Sequence, residues 1–381
     1  MNFKKIFLLF IVTLLFVGMS YATEVSNNNT STSDTSTVDT STTKEVVVQS
    51  SNTPIKEANN NLTYERNIKD ISKQNNTKTV KTASKTIDVN DFNTLHNTLT
   101  SDTYSTLTLN IKSDIKLTAN TMLNEEIKTL TINGNGKTIN GGKKYQFLGI
   151  ESDSKVTIKN IKIINCYSSY GGAIDNLYGT LTIINSTLNN NKAKNDGGAI
   201  DNFCGSLTIT NTILNNNIAR QGGAIYNLMG ALTVKNTTLN NNNANYGGGA
   251  IYNCDEPKMI IINSTLKNNN AKYDGGAIFY YGQNGLIDKN TFIRNKVNNT
   301  GPAIIDNGIN TIMKNNSNAD TSIDSSTIYI NGTDTRITNN IFDDGRKITI
   351  ITVGSAKSVV VGRQMSIYGK LTDNNGQNLA Y

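Results

Sequence analysis

The chain has 381 residues, with 36 Lys and Arg against 29 Asp and Glu, so its formal net charge is +7. The lysines are scattered and do not form a run, which gives little support to a nucleic-acid partner. His96 is the only histidine, and a lone histidine is most simply a surface residue. We therefore expect no catalytic residue, no metal site and no cofactor.

The N-terminus has the features of a secretory signal peptide over residues 1–22. Lys4 and Lys5 precede an apolar run, residues 6–17, and small residues end at Ala22. An uncleaved anchor is the alternative, but the run is too short to cross a bilayer, and no later segment reaches the ~20 apolar residues of a spanning helix. We expect a secreted chain, extracellular or at the cell surface, with no membrane span after cleavage.

Residues 23–85 are rich in Ser, Thr, Asn and Lys and poor in aromatic residues. Such a segment buries too little apolar surface to offset its ordering entropy, so it is predicted to be a disordered spacer. In an exported chain, N-x-S/T triplets on exposed turns are candidate glycosylation sites. Those at Asn61, Asn185, Asn236, Asn263, Asn298, Asn315 and Asn331 are among them.

A short helix is predicted within residues 86–100. Phe92, Leu95 and Leu99 have helical spacing, and Asn90 or Asp91 is placed to cap the helix start. The first turn of a repeat protein exposes unpaired backbone groups and an open core. We expect the helix to cover that end.

The central part of the chain is built on a repeat. Gly-Gly-Ala-Ile begins at Gly171 and returns at Gly197, Gly222, Gly248 and Gly275, with a degenerate copy at Gly301. The successive steps are 26, 25, 26, 27 and 26 residues, and a fixed period of this size is typical of a solenoid.

A second repeated residue, asparagine, keeps the same period and follows short apolar alternations such as Leu181/Ile183 and Leu207/Ile209, which are typical of strands. Three short strands per coil of ~26 residues, with Gly and Asn at the bends, predict a right-handed parallel β-helix over residues 86–345. Equivalent asparagines are expected to form a side-chain ladder. They are Asn160, Asn185, Asn211, Asn236, Asn263, Asn290, Asn315 and Asn339.

The cysteines and one aspartate are two further features of the predicted coils. Cys204 and Cys254 fall two coils apart, roughly 10 Å, which is too far for a disulfide, so they and Cys166 are expected to be free thiols. Asp288 falls where the other coils have an inward aliphatic residue, which indicates a local distortion.

The C-terminal pattern changes over residues 346–381 to alternating strands with an Asn-Gly turn. These resemble part of an Ig-like β module, although a whole sandwich needs ~100 residues. Either the chain is a fragment of a longer protein, which we favour, or these strands pack on the open end of the β-helix.

The residue after each repeat isoleucine forms a column that is predicted to face outward. Its members are Asp175, Asp201, Tyr226, Tyr252, Phe279 and Ile305. The column could be a carboxylate pair of a polysaccharide-active enzyme, a set of structural residues, or an exposed aromatic strip that binds a glycan or protein. The unbroken repeat favours the structural alternative over catalysis.

The Gly-Gly-Ala-Ile repeat resembles that of chlamydial polymorphic outer-membrane proteins, which pair it with a Phe-x-x-Asn motif. Phe292–Asn295 matches that second motif, and elsewhere leucine takes the Phe place, as in Leu188–Asn191, Leu214–Asn217, Leu239–Asn242 and Leu266–Asn269. The whole arrangement is closer to the adhesin-like surface proteins of methanogenic archaea, which similarly join a signal peptide, a polar spacer, such coils and Ig-like modules.

This resemblance implies a non-enzymatic, monomeric cell-surface adhesin that binds glycans or proteins of other cells. Tyr226, Tyr252, Phe279, Asp175 and Asp201 would line its binding face. The alternative is a secreted polysaccharide lyase or hydrolase of the pectate-lyase-like β-helix type.

Overall fold

The computed structural model describes residues 83–255, 258–297, 304–318, 328–330, 332–341, 347–353 and 359–361. They belong to one compact unit, Asn76–Tyr381. They form an all-β parallel solenoid of about 9 turns with one short helix, which confirms the predicted coil of about 26 residues. The predicted signal peptide and nearly all of the predicted spacer lie outside the described residues.

Each full coil has four faces, whose strands are numbered here in chain order. Face 1 contains β1 Ser84–Val89, β2 Thr106–Ile111, β4 Thr129–Asn133, β7 Lys155–Lys159, β11 Thr180–Ile184, β15 Ser206–Thr210, β19 Ala231–Lys235, β23 Met259–Ile262, β27 Leu286–Asp288, β31 Ile312–Lys314 and β34 Thr335–Ile341. Face 2 contains β3 Ile115–Lys116, β5 Thr138–Asn140, β8 Lys162–Ile164, β12 Thr187–Asn189, β16 Ile213–Asn215, β20 Thr238–Asn240, β24 Thr265–Lys267, β28 Thr291–Ile293 and β32 Ser317–Asn318.

The other two faces are separate sheets. Face 3 contains β9 Tyr167–Tyr170, β13 Lys192–Asp196, β17 Ile218–Ala219, β21 Asn243–Ala244, β25 Asn270–Ala271 and β29 Lys296–Val297. Face 4 contains β6 Leu148–Ile150, β10 Ile174–Asn176, β14 Ile200–Phe203, β18 Ile225–Leu228, β22 Ile251–Cys254, β26 Ile278–Tyr280, β30 Ile304–Asp306 and β33 Ile328–Ile330.

Successive coils pair in parallel register, so equivalent residues stack directly. On face 1, Leu181 pairs with Leu207 and Ile183 with Ile209, and all four side chains are buried in one continuous core. Thr182 lies between them on the outer side and pairs with Thr208. The predicted alternation of inward aliphatic and outward threonine residues is therefore confirmed.

The predicted helix, α1, spans Phe92–Thr100. Asp91 caps its start, because the carboxylate accepts a hydrogen bond from the backbone N–H of Thr94 at 2.8 Å. Leu95 and Leu99 are fully buried in the core. The sequence interpretation missed β1, whose alternation of Ile87 and Val89 is the signal for the strand that precedes the helix.

The two glycines of each repeat meet different backbone demands. Gly197 has φ +64°, a left-handed conformation that costs glycine little. A Cβ atom on Gly198 would lie 2.1 Å from the carbonyl oxygen of Gly223 in the next coil, so only hydrogen fits there. Ala199 and Ile200 follow with fully buried side chains.

The predicted asparagine ladder forms the expected column, but in the described part of the chain its amides do not bond one another. Seven of its members share one corner between faces 1 and 2, where they are exposed and have φ between 49° and 56°. They are Asn160, Asn185, Asn211, Asn236, Asn263, Asn315 and Asn339. Asparagine serves there by tolerating a left-handed backbone and not by stacking its amide inside the coil.

Asn290 is not a member of that corner column. The corner residue of its coil is Lys289, with φ +56°, and Asn290 is buried one position further on. The same one-residue offset explains the position of Asp288, which was predicted to replace an inward aliphatic residue and to mark a local distortion. Asp288 pairs with Ile262 on the outer side, while Ile287 takes the inward position.

The actual ladder lies at the corner between faces 2 and 3. Each amide nitrogen donates to the amide oxygen of the next coil at 2.8–3.2 Å, and every member is fully buried. The members are Asn191, Asn217, Asn242, Asn269 and Asn295. Asn242 Oδ1 also accepts the backbone N–H of Asn217 at 3.0 Å, and its Nδ2 donates to the carbonyl of Leu214 at 3.1 Å. All of the amide's hydrogen-bonding capacity is thus used.

A second buried ladder runs along face 4. Asn176, Asn202, Asn227 and Asn253 stack with amide contacts of 2.5–2.7 Å. In the next two coils, Tyr280 and then Asp306 occupy the same column. The first three amides also donate to a carbonyl of their own following turn, at Gly179, Gly205 and Gly230.

Asp306 places a carboxylate in the interior. Its Oδ1 accepts from the Gly308 N–H at 3.0 Å and from Thr311 Oγ1 at 2.9 Å, and its Oδ2 accepts from Thr335 Oγ1 at 2.7 Å. Burial nevertheless raises the pKa of the Asp306 carboxyl, and the Thr335 hydrogen bond opposes that shift.

The C-terminal strands run against the last coils. β35, Lys347–Val353, pairs antiparallel with β34, and β36, Val359–Val361, pairs antiparallel with β33. The first three residues of the degenerate repeat at Gly301 and most of the predicted Ig-like segment lie outside the described residues.

We predict that Asn242→Ala lowers the free energy of unfolding by about 3 kcal/mol, because it leaves two buried donors of Asn217 without an acceptor. Asn211→Gly is the matched control at an exposed corner and should change it by about 0.5 kcal/mol or less, since glycine keeps the left-handed backbone. Chemical unfolding followed by circular dichroism measures both. Equal losses would contradict the assignment of the ladder.

Asp306→Asn is expected to raise the unfolding midpoint at pH 7, because it removes a buried charge and keeps a side chain of the same shape. The raised pKa means that wild-type Asp306 stabilises the fold most below the ordinary carboxyl pKa, and this contribution is lost as pH rises through the raised value. The variant should therefore gain most over wild type at neutral pH. A gain that is independent of pH would contradict this account.

Candidate functional site

The predicted column of site residues is present on face 4. Asp175 pairs with Asp201, Asp201 with Tyr226, Tyr226 with Tyr252, and Tyr252 with Phe279. The preceding isoleucines point into the core, so by alternation the column lies on the outer side of the sheet. The structure therefore brings all five predicted residues together in one line.

Their predicted exposure is wrong for three of the five. Asp201 is fully buried, Tyr226 is 5% exposed and Tyr252 is 9% exposed, while Asp175 and Phe279 are half-buried. The backbone before the glycine corner covers one edge of the column, since a Cβ on Gly247 would lie 3.3 Å from the Tyr252 ring.

The aromatic rings of the column cover one another. Tyr226 and Tyr252 stack with centroids 5.5 Å apart and an interplanar angle of 17°, and Tyr252 and Phe279 stack at 4.4 Å and 6°. The faces of the Tyr252 ring are occupied by its neighbours and are closed to a sugar or peptide. The stack therefore stabilises the outer surface of face 4 and does not offer free ring faces.

A further carboxylate, that of Asp196, lies in the same coil as Asp201. Asp196 directly precedes the glycine corner and is fully buried. Arg220, in the next coil, places Nη2 3.6 Å from Asp196 Oδ1 and donates to Gln221 Oε1 at 2.8 Å. Neither Asp196 nor Arg220 was among the predicted site residues, so the sequence interpretation missed this ion pair.

Cys254 lies on the same outer surface, next to the aromatic stack. Its Sγ is 3.7 Å from the Tyr226 hydroxyl. Burial, followed by the charge of Asp255, raises the pKa of the Cys254 thiol to about 12. Burial also raises the pKa of the Cys166 thiol to about 12. Neither thiol is a ready nucleophile at neutral pH, because the thiolate is the reactive form. All three cysteines of the chain are free.

Three exposed tyrosines, which the sequence did not single out, surround the aromatic end of face 4. Tyr246 and Tyr273 occupy the corner before the glycines, are 41% and 51% exposed, and have ring centroids 5.7 Å apart. Tyr281 is 51% exposed and follows Tyr280. Tyr281 directly follows β26, in which Phe279 lies on the outer side. We call Tyr246, Tyr273, Phe279 and Tyr281 the aromatic patch.

The described residues give little indication of other chemistry. They contain no cluster of three or more His, Cys, Asp or Glu that could hold a metal ion. In the same part of the chain, no helix is long and apolar enough to cross a bilayer. His96 is half-buried, with Nδ1 3.3 Å from Thr121 Oγ1, at the opposite end of the solenoid.

Comparison of the chain with protein-family models, with curated proteins and with solved structures gives no match. The assignment of the fold therefore rests on the strand pairing, and any function must be argued from the residues of face 4.

Tyr252→Ala should lower the free energy of unfolding by about 3 kcal/mol, because it removes a buried ring that stacks on both sides. Tyr273→Ala removes an exposed ring and should cost about 0.5 kcal/mol or less. Thermal and chemical unfolding of both variants test the distinction between a structural stack and an exposed surface. A larger loss for Tyr273→Ala would contradict it.

Proposed function

We propose that the chain is a secreted, non-enzymatic, monomeric cell-surface protein of the adhesin-like type, which binds glycans or proteins through the aromatic patch. The observation that carries this proposal is the exposure of Tyr246, Tyr273 and Tyr281 beside the aromatic part of the face 4 column, in β22 and β26. Exposed tyrosines supply apolar area and a polar tip at low entropic cost, which suits recognition surfaces.

The regularity of the solenoid supports binding over catalysis. Face 4 keeps its register from Asp175 to Ile305 with no inserted loop. A regular column presents similar groups at every coil, which suits an extended ligand such as a polysaccharide or a long peptide. The resemblance to archaeal adhesin-like proteins points the same way, and under it residues 1–22 direct export.

The proposal also covers the handedness of the solenoid and the elements at its two ends. We propose a right-handed winding, because parallel strands joined by crossovers are right-handed in about 98% of cases. Helix α1 is proposed as the N-terminal cap, since Leu95 and Leu99 are fully buried beside the first coil. At the other end, β35 and β36 pair with the last coils, which supports packing on the open end as the role of this part of the predicted Ig-like segment.

The triple variant Tyr246→Ala, Tyr273→Ala and Tyr281→Ala is expected to lose at least ten-fold in binding to glycan arrays or to cells that bind the wild type. The loss of exposed aromatic contacts is the reason, and the unfolding midpoint should change little. Tyr167→Ala, which removes an exposed tyrosine from face 3, is the matched control and should bind as wild type. Equal binding by all three proteins would refute the proposed surface.

A secreted polysaccharide lyase or hydrolase is the second candidate. The observation in its favour is the pairing of Asp175 with Asp201 on the outer side of face 4, together with the ion pair of Asp196 and Arg220 at the glycine corner. Carboxylates near an arginine can divide acid and base roles on a sugar.

A screen on polygalacturonate and related glycans, with and without calcium, separates the two functions. Turnover that is lost in Asp201→Asn but retained in Asp288→Asn would establish the enzyme and overturn the adhesin proposal. No turnover on any of these glycans is the result expected from a binding protein.

A further inference from the structure

Four N-x-S/T triplets lie in the described part of the chain, and all four fall on one corner of the solenoid. Asn185, Asn236, Asn263 and Asn315 are the first residues of these triplets. Each occupies the corner between faces 1 and 2, with φ between 49° and 56°, and each side chain is exposed. The sequence placed these four asparagines in one predicted column, and the structure shows that this column is an exposed corner.

The remaining residues of each triplet are also arranged consistently. The hydroxyl residue at the third position is the first residue of a face 2 strand and is half-buried on its outer side. These residues are Thr187, Thr238, Thr265 and Ser317. The asparagine itself therefore projects from a bend beside a regular strand, which leaves space for a large substituent.

We propose that this corner carries N-linked glycans, with Asn185, Asn236 and Asn263 as the main acceptors. This inference rests on the secretion proposed above, because N-linked glycans are added to exported chains. Asn315 is expected to be modified least, because its Nδ2 already donates to Asp288 Oδ1 at 2.9 Å.

We call this line of glycosylated asparagines the glycan stripe, and its position is compatible with the proposed binding surface. Along each coil, the corner is separated from face 4 by a face 1 strand on one side and by the face 2 and face 3 strands on the other. Glycans there would shield faces 1 and 2 from proteases and from other chains. They would leave the aromatic patch accessible.

The experiment uses the full chain produced in yeast, whose secretory pathway modifies N-x-S/T sites, in two versions. One keeps its own residues 1–22 and the other has the host's leader in their place. Peptide mass spectrometry after enzymatic deglycosylation reports the occupancy at each asparagine. We expect modification at Asn185, Asn236 and Asn263 in the secreted protein, and at least a ten-fold loss at Asn236 alone in Thr238→Ala.

Asn211 supplies a matched control, because it shares the corner, the exposure and a φ of 52° but has Ile213 at the third position. It should be unmodified in the unchanged chain and become modified in Ile213→Thr, a substitution at a side chain that is 47% exposed. Secreted protein with all four asparagines unmodified would overturn the proposal. A different result would separate the two proposals: the version with its own N-terminus stays inside the cell, while the version with the host's leader is secreted and glycosylated. That result would contradict the proposed export and support the glycan stripe.

Discussion

The structure depends on hydrogen bonds between identical amides stacked in register inside the solenoid. In the ladder from Asn191 to Asn295, each amide bonds the copies before and after it and the backbone of neighbouring coils. A buried amide is costly unless all its groups are paired, so the ladder tolerates neither a shift of register nor a missing member. This requirement fixes which residues of successive coils stack, although the coils themselves differ in length by a residue.

The outer side of face 4 follows from the same stacking. Once the coils are in register, Tyr226, Tyr252 and Phe279 must lie one strand spacing apart, and their rings stack because that distance suits aromatic packing. Stacking closes the ring faces and leaves recognition to tyrosines at the bends, such as Tyr273. The division between a structural column and an exposed patch is thus a consequence of the fold.

Much of the fold could be predicted from the sequence, because the repeat period, the alternation in face 1 and the cap of α1 are local signals. Of the eight asparagines predicted to form the ladder, only Asn290 belongs to a buried amide ladder, with Asn316 and Asn340. The last residues of Gly-Gly-Ala-Ile-x-Asn and Leu-x-x-Asn mark the members of the longer ladders. Lys289 occupies a corner at which the other coils have asparagine. The sequence therefore concealed that Asn290 lies one residue beyond that corner. Exposure of Asp201 could not be predicted, since alternation gives the face of a residue but not what covers it.

The ladder contacts are repeated from coil to coil, so a segment of one whole period can be removed or duplicated without breaking any type of contact. At the level of the gene, unequal recombination between neighbouring repeats would lengthen or shorten the molecule in steps of one strand spacing, roughly 4.8 Å. The same fold can therefore yield variants of graded reach.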